Sequence, residues 1–239
     1  MKQKGISLST LRAHNTRFVV NDDAIGEDHV GTSANTPLRS DAFDMSNEDK
    51  KAVIASHFRA IMETLGLDLT DDSLKGTPDR VAKMYIEEIF SGLDPANRPA
   101  ATLFENAYNY EGMLVEKDIS FFSNCEHHFV PIYGKAHVAY FSSGKVIGLS
   151  KLNRIVQYFA KRPQVQERLT IQIANELAEV LETPSVAVLI DARHMCVSSR
   201  GVNDISSSTV TSYFGGAFED EHVREEFLRY VSLSKGNVS

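Results

Sequence analysis

The hydrophobic pattern of this chain changes from a helical period to a strand period near its middle. The first helical stretch begins at Ser46, which has Asp49 three residues on in the spacing of a capping box, and it stops near Gly66. Its apolar positions share one helical face and are Val53, Ile54, Phe58, Ile61 and Leu65. A second helix opens at Thr77 with Pro78 in its first turn, where the missing N–H does no harm. We expect both apolar faces to be packing surfaces.

From about residue 112 the spacing of apolar residues becomes that of strands. Residues 113–122 and 135–141 predict a strand pair, which residues 146–149 continue after a serine- and glycine-containing turn. Two helices follow, the first with Ser150 as its N-cap, and Pro163 separates it from the second, which runs to about Leu181. The candidate core positions of the second helix are Val165, Leu169, Ile173, Leu177 and Leu181. Residues 185–190 and 194–200 predict two further strands. This order of elements indicates an α+β fold with an antiparallel β-sheet and two packed helices.

Composition divides the chain near residue 45. Residues 1–45 are polar and have no sustained period, so we interpret them as a flexible N-terminal extension. Residues 46–110 form a helical N-terminal region, and residues 111–239 form the domain that contains the sheet. A hydrophobic fraction of 42% in 239 residues is sufficient for a packed core.

Charge and hydropathy exclude some classes of partner. The formal net charge of -7 argues against a general nucleic-acid binder, because phosphate contacts need clustered positive charge. No apolar run approaches the roughly 20 residues that cross a bilayer, and residues 1–17 lack the apolar core of a signal peptide. We therefore expect a cytoplasmic protein with no membrane or nucleic-acid partner, although a local basic pocket can still bind a small anion.

Both cysteines of the chain lie beside histidines. Cys125 and His128 have C-x-x-H spacing, so one tight loop can present a thiolate and an imidazole to the same ion. Cys196 can supply a second thiolate from a distant strand. Three protein ligands leave the fourth position of a zinc site open for water, which is the arrangement of catalytic sites. His127 and His194 are then candidate proton carriers beside the metal.

Other interpretations of these residues stay open. Two cysteines can form a disulfide, which requires an oxidising compartment. A free cysteine can be a small buried hydrophobe, but that accounts for one cysteine better than for two that lie beside histidines. A closed structural zinc site needs a fourth ligand, which His127 or His194 can provide. We favour the open catalytic site.

Basic residues indicate an anion site near this group. If residues 194–200 form a strand, His194, Cys196 and Arg200 point to one face of the sheet. Lys151 and Arg154 share the first turn of a helix, where cations oppose the helix dipole unless an anion is bound. At another helix start, Glu167 is either an ordinary first-turn acid or an acceptor for a ring N–H and an amino group, such as guanine offers.

Four motifs, in this order along the chain, resemble those of GTP cyclohydrolase I. They are Cys125-Glu126-His127-His128, residues 148–156 (GLSKLNRIV), residues 162–170 (RPQVQERLT) and His194-Met195-Cys196. The likeness extends from about residue 46 to the C-terminal region and is strongest over residues 125–218, which include the stretch STVT at residues 208–211. No motif position departs from the family pattern.

The resemblance implies the tunnelling fold, in which the antiparallel sheets of neighbouring subunits join in a homodecamer of two stacked pentamers. It implies active sites between subunits. The implied reaction converts GTP and water into 7,8-dihydroneopterin triphosphate and formate, the first step of tetrahydrofolate biosynthesis. Two rival expectations are a tunnelling-fold relative that binds a purine or pterin for different chemistry, and a non-catalytic zinc-stabilised assembly module.

The resemblance also implies a role for each motif residue. The implied Zn²⁺ ligands are Cys125, His128 and Cys196. The implied catalytic residues are His194, which protonates N7 of guanine, His127, which carries protons during ring opening and deformylation, and Ser150, which contacts the ribose. The implied substrate ligands are Gln166 and Glu167 for the guanine edge, and Lys151, Arg154 and Arg200 for the triphosphate.

Overall fold

The computed structural model describes residues 33–233 and places two long helices against a five-stranded sheet. The helices are α1 (Asn47–Thr64), α2 (Thr77–Met84), α3 (Leu149–Ala160), α4 (Gln166–Leu181), the short α5 (Met195–Ser198) and α6 (Glu221–Ser232). The strands are β1 (Leu103–Glu105), β2 (Leu114–Cys125), β3 (Pro131–Tyr140), β4 (Lys145–Ile147), β5 (Pro163–Gln164), β6 (Val186–His194) and β7 (Thr209–Phe214). Of the predicted extension, residues 1–32 lie outside the described residues.

The cap of α1 is confirmed, but its apolar face is not packed as expected. The Ser46 side chain accepts a hydrogen bond from the Asp49 N–H at 3.1 Å, and Gly66 ends the stretch with a φ of +82°. Leu65, by contrast, is 72% exposed. The main neighbours of α1 are α2 and the turn that follows α2, so α1 buries only a narrow stripe of its surface. Three residues of the expected face line an open apolar groove of about 720 Å³: Ile54, Phe58 and Ile61.

The segment after α2 forms hydrogen bonds with the residues at the end of α3. A π-helical turn (Tyr85–Ile89) follows α2 directly, and Gly92 lies in the next turn. The N–H of Gly92 donates to the Lys161 carbonyl at 2.9 Å, and its own carbonyl accepts from Arg162 Nε at 2.8 Å. A Cβ atom at this position would lie 2.0 Å from the Tyr158 carbonyl oxygen, so the close approach requires glycine.

The main sheet has the strand order β5-β2-β3-β6-β7 and is antiparallel except between β2 and β5. The inner faces of α3 and α4 pack on it, and the predicted core positions Leu169, Ile173, Leu177 and Leu181 of α4 are almost completely buried. On another part of the sheet, Phe122 is 69% exposed and stacks on Tyr133. The mixed α and β architecture is therefore confirmed.

Two of the strand and cap predictions before α3 are wrong. Residues 146–149 do not extend the β2–β3 pair, because β4 pairs with β1 in a separate two-stranded sheet. The turn at Gly144, with a φ of +104°, takes the chain away from β3 and toward β1. Since β4 ends at Ile147, α3 starts at Leu149 with Gly148 as its N-cap, and Ser150 lies inside the first turn instead of capping it.

The strand predicted over residues 194–200 is also wrong. β6 continues to His194, because it pairs with β3 as far as the register of Ile132 with His194. Gly134 on β3 allows this, since a Cβ atom there would lie 2.1 Å from the Asp191 carbonyl oxygen. The chain then turns into α5, in which the Ser199 N–H donates to the Met195 carbonyl at 2.9 Å. The last strand of the sheet, β7, begins at Thr209, which is 14 positions after the start of α5 at Met195.

No helix within residues 33–233 combines the length and the apolar character that a membrane span requires.

Candidate metal centre and active site

The C-x-x-H loop is a tight connection between β2 and β3. Cys125 is the last residue of β2, and its N–H donates to the Val130 carbonyl at 2.8 Å across the base of the loop. The Phe129 N–H donates back to the Cys125 carbonyl at 2.8 Å, with Phe129 in the left-handed region at a φ of +55°. This geometry places the Cys125 thiol and the His128 imidazole on one short, closed loop.

The pairing of β3 with β6 brings the second cysteine to this loop. Because Ile132, near the start of β3, is opposite His194, the helical turn that carries Cys196 begins beside the loop. The ligand atoms of Cys125, His128 and Cys196 all lie within 4.8 Å of one another, and both cysteines are free thiols. The structure thus brings the three predicted ligands together, although α5 presents Cys196 and not a strand.

The donor set fits a zinc ion. Two sulfurs and one imidazole nitrogen are ligands that zinc prefers, and at normal bond lengths the ligand atoms of a tetrahedral site lie about 3.5–4 Å apart. Burial, together with the adjacent Cys125 thiol, raises the pKa of the Cys196 thiol. A bound cation offsets this cost, because it stabilises both thiolates.

Arg200 lies against the same group. Its Nη1 is 3.1 Å from Nε2 of His128, and since a guanidinium only donates, the imidazole nitrogen is the acceptor. One nitrogen lone pair serves one partner at a time. Metal coordination through Nε2 would therefore exclude this contact.

The two remaining histidines lie beside the group without joining it. Among residues 33–233 the ligand cluster has three members, and neither His127 nor His194 is one of them. Nδ1 of His127 is 3.9 Å from the Cys125 sulfur, and the side chain is 47% exposed. An arrangement of three ligands with adjacent, non-ligating histidines corresponds to an open site.

The buried amide of Gln166 determines the tautomer of His194. Its nitrogen donates to the Ile190 carbonyl at 3.2 Å, the Thr209 carbonyl at 2.8 Å and the Thr211 hydroxyl at 3.1 Å. Because carbonyls only accept, the amide oxygen must face His194, whose Nε2 is 2.7 Å away and donates the proton. The neutral imidazole therefore has its lone pair on Nδ1.

The first turn of α4 places Gln166 and Glu167 in different surroundings. Gln166 is 2% exposed and its amide bonds to the protein on both sides, so it faces His194 rather than an open surface. Glu167 is exposed. Burial lowers the pKa of His194, and the Glu167 charge opposes that shift, which puts Glu167 within electrostatic range of the imidazole.

The predicted residues on α3 lie elsewhere in the single chain. Lys151 and Arg154 line a cavity of about 390 Å³ together with Lys161 and Glu87, and Ser150 is exposed on the same helix turn. None of the three candidate metal ligands lines this cavity. The structure therefore brings the metal group, His127, His194 and Arg200 together, and it places the α3 cations in a separate cavity.

One ion pair beside the metal group was not predicted. Arg168, in the first turn of α4, forms two parallel hydrogen bonds with the Glu126 carboxylate, at 2.6 and 3.0 Å. The sequence contained a signal for it. A cation in the first turn of a helix opposes the helix dipole, and an acid between two candidate metal ligands is a suitable partner.

Comparison with known proteins gives one consistent result. The profile of the GTP cyclohydrolase I family matches residues 54–232. The chain is 60% identical over 211 residues to GTP cyclohydrolase 1 of Flavobacterium johnsoniae, with 88% of this chain and 95% of that protein covered. It is 55% identical over 203 residues to GTP cyclohydrolase 1 of Escherichia coli (strain K12 / DH10B), with 84% and 91% covered.

A solved structure, that of the archaeosine synthase QueF-Like in the apo form, aligns with 44% of this chain and 94% of its own at 14% identity. Its TM-score of 0.37 is too low to bear on fold or function.

Proposed function

The chain belongs to the GTP cyclohydrolase I family, and from this premise we propose how its residues perform the reaction. It is a hydrolase that acts on GTP. Membership of this family argues against both rival hypotheses, a relative with different chemistry and a non-catalytic assembly module. We propose that Cys125, His128 and Cys196 hold a Zn²⁺ ion. The observation that carries this proposal is the convergence of their three ligand atoms within 4.8 Å of one another, beside two histidines that do not ligate.

The two thiols and the imidazole would hold the ion as three protein ligands, the number that is typical of catalytic zinc sites. Zinc in such a site supplies Lewis-acid activation of the water that adds to C8 of guanine. The products are 7,8-dihydroneopterin triphosphate and formate, and the reaction is the first step of tetrahydrofolate biosynthesis. A reducing compartment, the cytoplasm, suits two thiols that must stay unoxidised to bind metal.

His194 delivers the proton to N7 of the guanine ring. Its Nε2–H stays on the Gln166 oxygen at 2.7 Å, so Nδ1 is the nitrogen that gains and gives the proton. Burial lowers the pKa of this imidazole, and a proton held at Nδ1 is therefore readily passed on. Gln166 contributes to guanine binding by holding the His194 imidazole, and Glu167 accepts the ring N–H and the amino group directly.

His127 carries the protons that ring opening and loss of formate require. Its partial exposure and its distance of 3.9 Å from the Cys125 sulfur support this role, because an exposed imidazole exchanges protons with solvent. Arg200, which lies beside His128, binds the triphosphate.

The remaining phosphate ligands come from a neighbouring subunit. Lys151 and Arg154 line a cavity that none of the metal ligands lines, and in the decamer they complete the site of the adjacent chain, with Ser150 at the ribose. Two features support assembly through the tunnelling fold: the position of β7 at the sheet edge, and the exposed side chain of Phe122. In this arrangement residues 111–239 are the catalytic domain and residues 46–110 the helical region before it.

Subunit complementation tests the shared site. Cys196→Ser and Arg154→Ala each remove one half of a site, so each homo-oligomer should be nearly inactive. Mixed oligomers from co-expression should regain about one quarter of the parental rate of formate release, because random neighbours restore one site in four. The control is a mixture of the two purified homo-oligomers under conditions in which they do not exchange subunits, and this mixture should stay inactive. Co-expressed chains that assemble together and stay inactive would contradict a site built from two subunits.

A further inference from the structure

We propose that the ion pair of Glu126 and Arg168 is a positioning device that fixes the C-x-x-H loop in the geometry for metal binding. This inference rests on the proposed metal centre. It assigns a function to Glu126, which lies along the chain between two ligands, and to its partner Arg168, neither of which belongs to the ligand group. It also identifies the first turn of α4 as the common support of both parts of the ligand set.

The contact between the two side chains is close and mostly hidden from solvent. Nη1 of Arg168 is 2.6 Å from one Glu126 oxygen and Nη2 is 3.0 Å from the other, which is the paired geometry of a strong charge-assisted contact. The Arg168 side chain is 2% exposed. Its remaining nitrogen, Nε, donates to the Ser33 carbonyl at 2.9 Å, so every nitrogen of the guanidinium has a partner.

Glu126 is held by its backbone as well as by its side chain. Its N–H donates to the Gln164 carbonyl at 3.0 Å, where β5 pairs with the end of β2. Of these two anchors, Gln164 lies on the strand that leads into α4, and Arg168 lies in the first turn of α4. A residue tied in this way cannot rotate freely, and its two neighbours along the chain are the ligand Cys125 and the proton carrier His127. The ion pair therefore sets the direction in which the loop presents the thiol and both imidazoles.

The same helix turn supports the other half of the centre. Gln166 holds His194, which is two residues before Cys196, and Arg168 holds Glu126, which is one residue after Cys125. Two positions in the first turn of one helix thus support both cysteine-bearing segments. Without the ion pair the loop would have to be ordered by the metal itself, and this cost would weaken binding.

Stability and positioning can be separated by removing the two charges singly and together. A single substitution leaves the other charge buried without a partner, so it lowers the melting temperature. Glu126→Gln combined with Arg168→Met removes both charges and should recover much of that loss. If the ion pair is purely structural, the double variant should recover Zn²⁺ binding together with its melting temperature. If the ion pair positions the loop, Zn²⁺ binding should stay weak, because the contact between loop and helix is still missing.

The experiment measures the Zn²⁺ dissociation constant of the full-length, metal-depleted protein by competition with a chromophoric chelator, with the melting temperature as a second readout. We expect the double variant to bind Zn²⁺ about 10- to 100-fold more weakly than the parent, the range that lost outer partners cost. The matched control is Arg98→Met with Glu176→Gln, another two-bond pair on α4 with a buried carboxylate, at 2.9 Å for both contacts. It should leave the Zn²⁺ constant unchanged.

Two outcomes would overturn the inference in distinguishable ways. If the folded double variant binds Zn²⁺ as tightly as the parent, the ion pair does not position the loop, while the proposed centre stands. If the parent itself binds no Zn²⁺, the metal centre of the proposed function fails and the inference fails with it.

Discussion

Replacing Cys196 with serine is expected to abolish formate release from GTP and to remove tight Zn²⁺ binding. The thiol is one of three ligand atoms that converge within 4.8 Å, and a serine hydroxyl is a poor zinc ligand that stays protonated at neutral pH. The loss of Zn²⁺ affinity should exceed the roughly 10- to 100-fold that removal of an outer hydrogen-bond partner costs. Bound zinc per chain and the rate of formate release are the two measurements.

The control for this substitution lies in the same helical turn. Val197→Ser makes a polar change one residue away, at a side chain that is exposed and outside the ligand group. It should keep both zinc and turnover. A metal-free Cys196→Ser protein that releases formate at the parental rate would contradict the metal assignment.

Replacing His127 with alanine is expected to separate metal binding from turnover. The imidazole lies 3.9 Å from the Cys125 sulfur and outside the ligand cluster, so the variant should retain a full complement of zinc. Its rate should fall by about 10²- to 10⁴-fold, the usual contribution of a positioned proton carrier. Zinc content and single-turnover formate release on the same preparation check both parts.

An exposed histidine far along the chain provides the comparison. His222→Ala, at the start of α6, should change neither zinc content nor rate. If His127→Ala loses its zinc, the roles of His127 and His128 are exchanged and the proposed ligand set is wrong.

Features that depend on local spacing could be predicted from the sequence. The Ser46 cap, the proline start of α2 and the core positions of α4 follow from neighbouring residues on one helix, and all three are present. The metal ligands could be proposed for the same reason, because C-x-x-H spacing within one loop brings two of them together without knowledge of the fold.

Features that depend on pairing between distant segments could not be predicted. The continuation of β6 to His194 requires the opposite strand with Gly134, and the pairing of β4 with β1 joins segments some 40 residues apart along the chain. The strand that was expected to align Cys196 with Arg200 is absent. The two residues still lie near His128, because β3 and β6 deliver α5 to the loop.

The hydrophobic periodicity of the sequence also could not predict the role of α4 in the site. Gln166 and Arg168 are polar residues in a first helical turn, and although the position of Arg168 favours an acidic partner, periodicity does not show that either residue is buried. Their partners, His194 and Glu126, lie 28 and 42 positions away in sequence. Periodicity also does not show where Lys151 and Arg154 lie relative to the metal ligands. In the structure of one chain they line a cavity that none of those ligands lines.

The most direct test of the account is formate release from GTP by the purified protein, measured with a zinc chelator and again after zinc is restored. We expect release that the chelator stops and that added Zn²⁺ recovers, at a stoichiometry of about one zinc per chain. Release that continues unchanged in protein shown to be free of metal would contradict it, because Cys125, His128 and Cys196 would then hold no ion that the reaction needs.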